Sequence, residues 1–261
     1  QKIFADKKVP EFLNCTHIAL IPKNQGPETL GSYRPISLCN TMYKVVTKII
    51  VNRLRPYLDK LISPFQSAFV PGRKGVDNVI IAQEIIHSLG KKRGRVGYMA
   101  LKIDLEKAYD KLEWNFIREA LGRANLPCDL IDIIMSCVST VSTSILFNGE
   151  AMDPIFPSRG IRQGDPLSPY LFILCMDYLG QLIEEKCSAK LWCPVKASQS
   201  GPAFSHLMFA DDVIFFARAD GANCSAIRDV LDEFCGLSGQ TVSEAKSRVY
   251  FSLNVDRDTR E

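Results

Sequence analysis

The sequence predicts an α+β fold in which an antiparallel sheet carries helices on one face. Three observations lead to this class. Apolar residues recur at helical spacing in several segments, of which 42–61 is the clearest. Segment 204–217 (FSHLMFADDVIFFA) has two apolar runs around an Asp pair, the pattern of a β-hairpin with both carboxylates at its tip. Helices and strands also alternate without a regular βαβ count, which argues against a doubly wound sheet.

The composition is that of an ordinary globular protein. Of the 261 residues, 46% are hydrophobic and 23% are charged, which excludes a disordered chain, a collagen-like repeat and a small disulfide scaffold. The longest apolar stretch, Leu171 to Met176, is far shorter than the roughly 20 residues that a membrane span needs. The nine cysteines are scattered without a C-x-x-C pair, so a zinc site is not expected. We therefore expect an intracellular protein with no membrane partner.

The first two helices are predicted in the N-terminal third of the chain. In 42–61, apolar side chains at intervals of three and four residues leave several basic side chains for the opposite face, which predicts a basic amphipathic helix. A second helix is expected over about 76–89, because Gly90 and a polar run follow it.

The next elements alternate between strand and helix. The apolar stretch Val96 to Ile103 predicts a buried strand that ends at Asp104, and Asn148-Gly149 predicts a tight hairpin turn. The remaining elements are predicted in chain order as helices near 113–124 and 129–139, a long helix from the Pro166–Pro169 region to about Glu185, a helix over 222–236 and a last strand from Arg248 to Leu253.

The basic charge is concentrated in one part of the chain. The formal net charge is only +3, but residues 44–111 hold 14 basic and six acidic side chains, a local net charge of +8. Such a segment is typical of a surface that contacts nucleic acid phosphates.

Three carboxylates need an explanation. Asp211 and Asp212 lie between apolar runs, where unpaired charges are costly. An ordinary Asp-containing turn would explain an isolated pair. Asp104, however, ends another apolar strand, and if the two strands are neighbours the carboxylates meet at one sheet edge and could hold hard divalent cations. Two such ions about 3.5–4 Å apart support an in-line phosphoryl displacement, so the pattern indicates a nucleotidyl transfer site.

Six ordered blocks resemble the motifs of reverse transcriptases. KIDLEKAYD (102–110), GIRQGDPLSPYLF (160–172) and FADD (209–212) are similar to the palm motifs of that family. The blocks SYRPISLCNTMYK, QSAFVPGRKGVDN and SGQTVSEAKS resemble the non-LTR retrotransposon type. DKLEW followed by SILFNG is most similar to the LINE elements of plants. The resemblance covers nearly the whole chain.

The resemblance implies a right-hand polymerase fold with fingers and palm subdomains. It places the fingers in 1–95, the palm in 96–253 with a possible fingers insertion near 113–156, and a polar tail in 254–261. The family's thumb and endonuclease have no counterpart in the sequence. Because the first residue is also Gln rather than Met, we expect those regions elsewhere in a longer parent polypeptide.

The resemblance also assigns the catalytic residues. Asp104 and Asp211 would be the ligands of two Mg²⁺ ions, and Asp212 occupies the position of a less direct catalytic carboxylate. Lys246 would act as a general acid toward the leaving pyrophosphate. An ordinary surface lysine is the alternative for Lys246.

Four further residues would contact the substrate. The ring of Tyr109 would exclude a ribose 2′-hydroxyl, unless it is only a packing residue. Arg73 would bind the incoming triphosphate through its guanidinium fork. Gln163 would contact the nucleotide and Gly164 would let the backbone approach the base pair, with a helix-capping loop as the alternative.

The expected function is that of an RNA-directed DNA polymerase of a non-LTR retrotransposon. It would extend a DNA primer on an RNA template with deoxynucleoside triphosphates, in the nucleus when it acts on genomic DNA and otherwise in the cytoplasm. The basic segment would then follow the template. Two alternatives stay open: a truncated or decayed remnant that at most binds RNA, and a reverse transcriptase similar to group II intron maturases.

Overall fold

The computed structural model describes residues 2–198 and 200–256. The α-helices are α1 (Lys2–Asp6), α2 (Thr41–Leu54), α3 (Leu58–Leu61), α4 (Gly75–Leu89), α5 (Ala108–Lys111), α6 (Trp114–Arg123), α7 (Cys128–Ser139), α8 (Ser168–Ser188) and α9 (Gly221–Ser238). The strands are β1 (Cys15–Pro22), β2 (Tyr33–Cys39), β3 (Tyr98–Ile103), β4 (Ser142–Phe147), β5 (Glu150–Ala151), β6 (Val195–Lys196), β7 (Ala203–Phe204), β8 (His206–Phe209), β9 (Asp212–Arg218) and β10 (Arg248–Phe251).

Most predicted elements are confirmed within a few residues, and one helix is divided. The predicted helix 42–61 begins at Thr41, directly after Asn40, whose side chain accepts a hydrogen bond from the Met42 N–H, as an N-cap residue does. It ends at Leu54, and a 3₁₀ turn leads into the short α3. Pro56 explains the division, because proline has no N–H for a helical hydrogen bond.

The chain packs into two units. The first comprises the residues up to Pro56 together with Tyr109–Phe172, and the second comprises Tyr57–Ala108 together with the residues from Ile173 onward. Each unit combines two separate segments of the chain, whereas the predicted fingers and palm are each one continuous segment. The division into fingers and palm therefore stays a prediction. Of the predicted polar tail 254–261, residues 257 to 261 lie outside the described part of the chain.

The first unit contains a mixed sheet and a helical core. Its strand order is β2-β1-β4-β5; β1 pairs antiparallel with β2 and parallel with β4. The helix α2 buries one face, which includes Tyr43, Val46, Ile50 and Leu54. The helices α6 and α7 pack against each other. The hairpin between β4 and β5 turns at Asn148-Gly149 with positive φ angles at both residues, which confirms the predicted turn.

The second unit is built on an antiparallel sheet with the order β10-β3-β9-β8. The helix α4 covers one face, where Ile85 and Leu89 pack in a cluster with Ala100 and Phe216. On the opposite face, Gly180 of α8 lies against the side chains of His206 and Met208. The α+β class and the antiparallel sheet are therefore as predicted, but helices cover both faces of this sheet and not one.

No helix in the described part of the chain is long and apolar enough to cross a membrane.

The second unit contains a fully buried histidine. His206 is fully buried; its ring packs on Phe65 with the centroids 4.6 Å apart, and its Nδ1 lies 3.0 Å from the hydroxyl oxygen of Ser205. Its Nε2 has no hydrogen-bond partner among the described residues. Desolvation of the imidazolium form lowers the pKa of His206 from 6.5 to about 3, so the folded protein keeps this ring neutral.

We expect this histidine to destabilise the fold as the pH falls below 6.5. Between the two pKa values the unfolded chain binds a proton that the folded chain does not, so stability is lost as the pH falls through this window. On going from pH 7.5 to 5.5, His206 should reduce the free energy of unfolding by roughly 1 kcal/mol. Urea unfolding at both pH values tests this. The difference between the two pH values should shrink by that amount in a His206→Asn variant; an unchanged difference would contradict the assignment.

Candidate active site

The strand register brings the three predicted carboxylates to one edge of the second unit's sheet. The ladder between β3 and β9 ends at the pair Ile103↔Val213, so Asp104 follows β3 at the edge where β9 begins with Asp212. The hairpin from β8 to β9 closes at the pair Phe209↔Asp212, which leaves Ala210 and Asp211 as its two-residue loop. The predicted hairpin with carboxylates at its tip is confirmed.

The segment before β10 lies on the other side of Asp104. The Ser243 N–H donates to the Asp104 carbonyl oxygen at 2.8 Å, and the Asp104 N–H donates to the Ser247 hydroxyl oxygen at 3.2 Å. These bonds fix the backbone around Lys246, whose Nζ lies 3.6 Å from Asp104 Oδ1. The structure thus brings Lys246 next to a predicted metal ligand, while most of its side chain stays exposed.

A second lysine, not proposed from the sequence, lies at the same edge. Lys102 Nζ is 3.1 Å from Asp212 Oδ1, and both side chains are more than half exposed. Lys102 lies opposite Ile214 in the ladder, two residues beyond Asp212, and such diagonal neighbours on a sheet are within reach of a long side chain. Lys102 precedes Asp104 by two residues, so the register between β3 and β9 is enough to place it near Asp212.

The electrostatics of the edge favour a cation. Partial desolvation raises the pKa of Asp211, and the negative charges of Asp212 and Asp104 raise it further; a hydrogen bond from its own backbone N–H and the charge of Lys102 act in the opposite direction. Groups of like charge at one site disfavour full ionisation unless positive charge is supplied.

The chemistry of Asp104 fits a hard cation. Its Oδ1 is buried and has no hydrogen-bond partner in the described ranges, and the ammonium of Lys246 is 3.6 Å away. A buried carboxylate oxygen without a donor is unusual unless something else binds there. In residues 2–198 and 200–256, no three His, Cys, Asp or Glu side chains are grouped so that they alone could hold a metal ion. Mg²⁺ is compatible with such a site, because it often takes one or two carboxylates and completes its shell with water and substrate phosphates.

Arg73 has a different environment from the one expected. Its Nε donates to the Asp59 carboxylate at 3.2 Å, and its Nη1 donates to the carbonyl oxygens of Ser63 and Gln66. Its Nη2 is bonded to the Asp59 carboxylate and carbonyl and to the Ile62 carbonyl. Because a guanidinium has five N–H donors, all of them are used within the loop. A triphosphate contact by Arg73 would require some of these bonds to break, and it stays a prediction.

The loop with Gln163 and Gly164 lies in the first unit and is fixed to β2. The Ser37 N–H donates to the Gln163 carbonyl oxygen at 2.7 Å. Gly164 has a φ of +113°, and a Cβ at this position would lie 2.8 Å from the Ser37 carbonyl oxygen. Only glycine fits this conformation and this close approach.

A buried ion pair and its hydrogen bonds hold the same loop in place. Asp165 accepts a hydrogen bond from the Tyr43 hydroxyl at 2.7 Å and lies 3.4 Å from Arg162, with side-chain exposures of 5% and 10% for the two charged residues. Arg162 also donates to the Thr16 hydroxyl at 2.8 Å, and its guanidinium stacks 4.1 Å from the centre of the Tyr43 ring. Asp165 Oδ1 accepts from the Leu167 N–H at 3.0 Å, immediately before α8 begins at Ser168.

Tyr109 also belongs to the first unit. Its ring stacks on Phe172 with the centroids 4.8 Å apart and the planes 14° from parallel, and its carbonyl oxygen accepts from the Ile161 N–H at 2.8 Å. The packing alternative considered for Tyr109 therefore describes its surroundings within this unit, and the sugar contact stays a prediction.

We expect a Gly164→Ala substitution to displace the loop. The added Cβ would meet a backbone oxygen at 2.8 Å in a left-handed conformation that alanine disfavours, a combined cost of roughly 2–4 kcal/mol. The Gln163 carbonyl would then lose its bond to Ser37. A urea unfolding curve should show this loss of stability. Gly122→Ala, where a Cβ meets nothing within 4 Å, is the control and should not destabilise the protein.

Comparisons with known proteins agree with the geometry. Residues 21–257 match the family model described as reverse transcriptase (RNA-dependent DNA polymerase).

Two relatives come from mobile elements. The uncharacterized 149 kDa protein of transposon TX1 from Xenopus laevis is 27% identical over 256 residues, which cover 97% of this chain and 19% of that protein. The retrovirus-related Pol polyprotein of the type-2 retrotransposable element R2DM from Drosophila melanogaster is 29% identical over 211 residues, which cover 80% of this chain and 19% of that protein. The chain therefore spans about a fifth of the length of either relative.

A solved structure shares the fold. The telomerase of Candida tropicalis, solved with a TWJ fragment of telomeric RNA, superimposes with a TM-score of 0.67 over 94% of this chain and 42% of that chain. The sequence identity is 14%, so this similarity concerns the fold alone.

Proposed function

The chain belongs to the reverse transcriptase family, in the group found in non-LTR retrotransposons, and we propose on this basis that it carries out RNA-directed synthesis of DNA. The observation that supports the proposal most strongly is the meeting of Asp104 and the Asp211 hairpin at one sheet edge. The buried Oδ1 of Asp104, which lacks a hydrogen-bond donor among the described residues, is the atom best suited to a cation there.

In the proposed reaction, a DNA primer is extended on an RNA template. The primer 3′-hydroxyl attacks the α-phosphorus of a deoxynucleoside triphosphate, a phosphodiester bond forms and pyrophosphate leaves. Asp104 and Asp211 would hold two Mg²⁺ ions, which supply electrostatic stabilisation for the attacking and leaving oxygens when bound. Asp212 adds negative charge to this edge and is balanced by Lys102 at 3.1 Å.

Lys246 is proposed as the proton donor to the leaving group. Its ammonium lies next to Asp104, and most of its side chain is free to turn toward solvent. A positioned lysine can transfer a proton to a pyrophosphate oxygen as the bond to the α-phosphorus breaks. Its charge also attracts the triphosphate before the reaction.

The substrate contacts are proposed from the family positions. Tyr109 would exclude a 2′-hydroxyl with its ring, which stacking on Phe172 keeps in one orientation. Gln163 and Gly164 would contact the nascent base pair from a loop that is bonded to β2. The basic segment 44–111 would contact template phosphates without reading sequence. The proposal also includes action in the nucleus on genomic DNA, and an origin from a plant LINE element.

A remnant without polymerase activity, able at most to bind RNA, is the alternative. Primer extension on an RNA template with Mg²⁺ separates the two, with Asp211→Ala as the comparison. We expect extension by the wild-type chain only. If neither protein extends the primer while RNA binding that weakens with salt persists, the remnant alternative is correct. The maturase alternative gains no support from the relatives described above, which belong to transposable elements.

A further inference from the structure

The turn that carries Asp211 contains a residue in an uncommon conformation. Ala210 precedes Asp211 in the two-residue loop between β8 and β9 and has a φ of +54°. Hairpin turns usually place glycine, asparagine or aspartate in such positions. Alanine pays roughly 1–2 kcal/mol in the left-handed region, and such a conformation persists only when its surroundings hold it.

A single buried side chain bonds both backbone groups of Ala210. Gln66 is fully buried, and its Oε1 accepts a hydrogen bond from the Ala210 N–H at 3.0 Å. Its Nε2 donates to the Ala210 carbonyl oxygen at 3.5 Å, a weaker contact. The same Oε1 accepts from the Ala68 N–H at 3.0 Å, which fixes the orientation of the amide.

The backbone of Gln66 is held as firmly as its side chain. Residue 66 forms a parallel bridge with Met208: the Met208 N–H donates to the Phe65 carbonyl at 2.9 Å, and the Ser67 N–H donates to the Met208 carbonyl at 3.1 Å. Arg73 adds a hydrogen bond to the Gln66 carbonyl at 2.8 Å. The donors of Arg73 therefore stabilise the loop from which Gln66 reaches the turn.

We propose that Gln66 is a positioning residue that holds the turn at Ala210 and thereby directs the Asp211 carboxylate into the site. Arg73 contributes by donating a hydrogen bond to the Gln66 carbonyl oxygen. The role of Asp211 in this inference rests on the proposed function. Without the amide, the Ala210 N–H and carbonyl lose their partners and the turn relaxes from its left-handed conformation. Misplacement of a reacting group by about 1 Å can cost about 10²-fold in rate.

The test uses a matched pair of nearly isosteric variants in the full 261-residue chain. Gln66→Met removes the amide and keeps the length of the side chain. Asn78→Leu is the control, because Asn78 donates to the carbonyl oxygens of Phe65 and Met208 at 3.1 and 3.0 Å and makes neither of the bonds to Ala210. Both changes remove hydrogen bonds from the same segment, so both should destabilise the second unit. Gln66→Glu keeps an acceptor for the Ala210 N–H but places a carboxyl group at a buried position, and it serves as a second variant should the Met variant fold poorly.

Amide hydrogen exchange at Ala210 is the first readout, and it does not depend on polymerase activity. When the two variants are compared at equal free energy of unfolding, we expect exchange at Ala210 to be at least tenfold faster in Gln66→Met than in Asn78→Leu. Gln66→Glu should give an intermediate exchange rate. Equal protection of Ala210 in Gln66→Met and Asn78→Leu would overturn the proposal, whether or not the chain proves to be a polymerase.

The second readout is steady-state primer extension. We expect Gln66→Met to lower kcat about 10- to 100-fold while the KM for the deoxynucleoside triphosphate changes less than twofold, and Asn78→Leu to keep kcat within twofold of wild type. An equal loss of kcat in both variants would reduce Gln66 to a general structural residue. If the wild-type chain extends no primer, the proposed function fails, and the exchange measurement alone decides whether Gln66 holds the turn.

Discussion

Replacing Asp104 by asparagine is expected to reduce RNA-templated DNA synthesis by at least about 10³-fold. The substitution keeps the shape of the side chain and the backbone bonds to Ser243 and Ser247, but it removes the negative charge at the buried oxygen that lacks a hydrogen-bond donor among the described residues. Loss of about 4 kcal/mol of transition-state stabilisation corresponds to this factor. Steady-state primer extension with Mg²⁺ measures it.

The control for this prediction is a carboxylate of the same unit outside the site. Asp229 lies on α9, where it pairs with Lys186 at 3.0 Å and is more than half exposed. Asp229→Asn should retain activity within about twofold, since exposed ion pairs contribute little. Comparable activity of Asp104→Asn and wild type would exclude Asp104 from the reaction.

Removing Asp165 is expected to cause the largest loss of stability. Asp165→Ala leaves the Arg162 guanidinium buried without its carboxylate. It also removes the shorter hydrogen bond of the Tyr43 hydroxyl, which keeps only the Cys137 carbonyl oxygen at 3.3 Å. Burial raises the pKa of Tyr43, first through desolvation and then through the charge of Asp165, so this hydroxyl stays a donor. Breaking one side of a buried ion pair costs about 3–5 kcal/mol. Urea unfolding followed by tryptophan fluorescence measures the change.

An exposed ion pair of the same unit provides the comparison. Asp132 pairs with Arg118 at 2.9 Å, and both side chains are about half exposed. Asp132→Ala should cost less than about 1 kcal/mol. Equal effects of the Asp165 and Asp132 substitutions would show that the network around Asp165 does not fix the loop with Gln163.

The longer helices and the second unit's sheet could be predicted because local patterns determine them. The hairpin around FADD and the strand before Asp104 are apolar runs with clear ends, and their antiparallel pairing places Asp104 opposite Asp212. The strands β1 and β2 were not predicted, because most of their residues are exposed or half-buried and show no alternation. The parallel pairing of β1 with β4 joins segments more than 120 residues apart, which no local pattern reveals.

The site was predictable to the extent that charge and motif order describe it. The family resemblance predicts Lys246, and the bonds of the Ser243 N–H and the Ser247 hydroxyl to the Asp104 backbone explain why Lys246 lies beside Asp104. The sequence does not indicate a role for Gln66, because a single glutamine among polar and apolar residues predicts no function until its hydrogen bond to Ala210 is known. The family position of Arg73 predicts a triphosphate contact, whereas in the structure its N–H groups donate to surrounding carbonyl oxygens, including those of Gln66 and Ile62.

The most direct test of the central claim is template-directed incorporation of single nucleotides. The 261-residue chain is incubated with Mg²⁺, an RNA template and an annealed DNA primer, and each of the four deoxynucleoside triphosphates is supplied separately. We expect wild type to add the deoxynucleotide complementary to the first template base far faster than the other three, and Asp211→Ala to add none. Absence of template-dependent addition by wild type, or equal addition by both proteins, would contradict the claim that this sheet edge catalyses RNA-directed DNA synthesis.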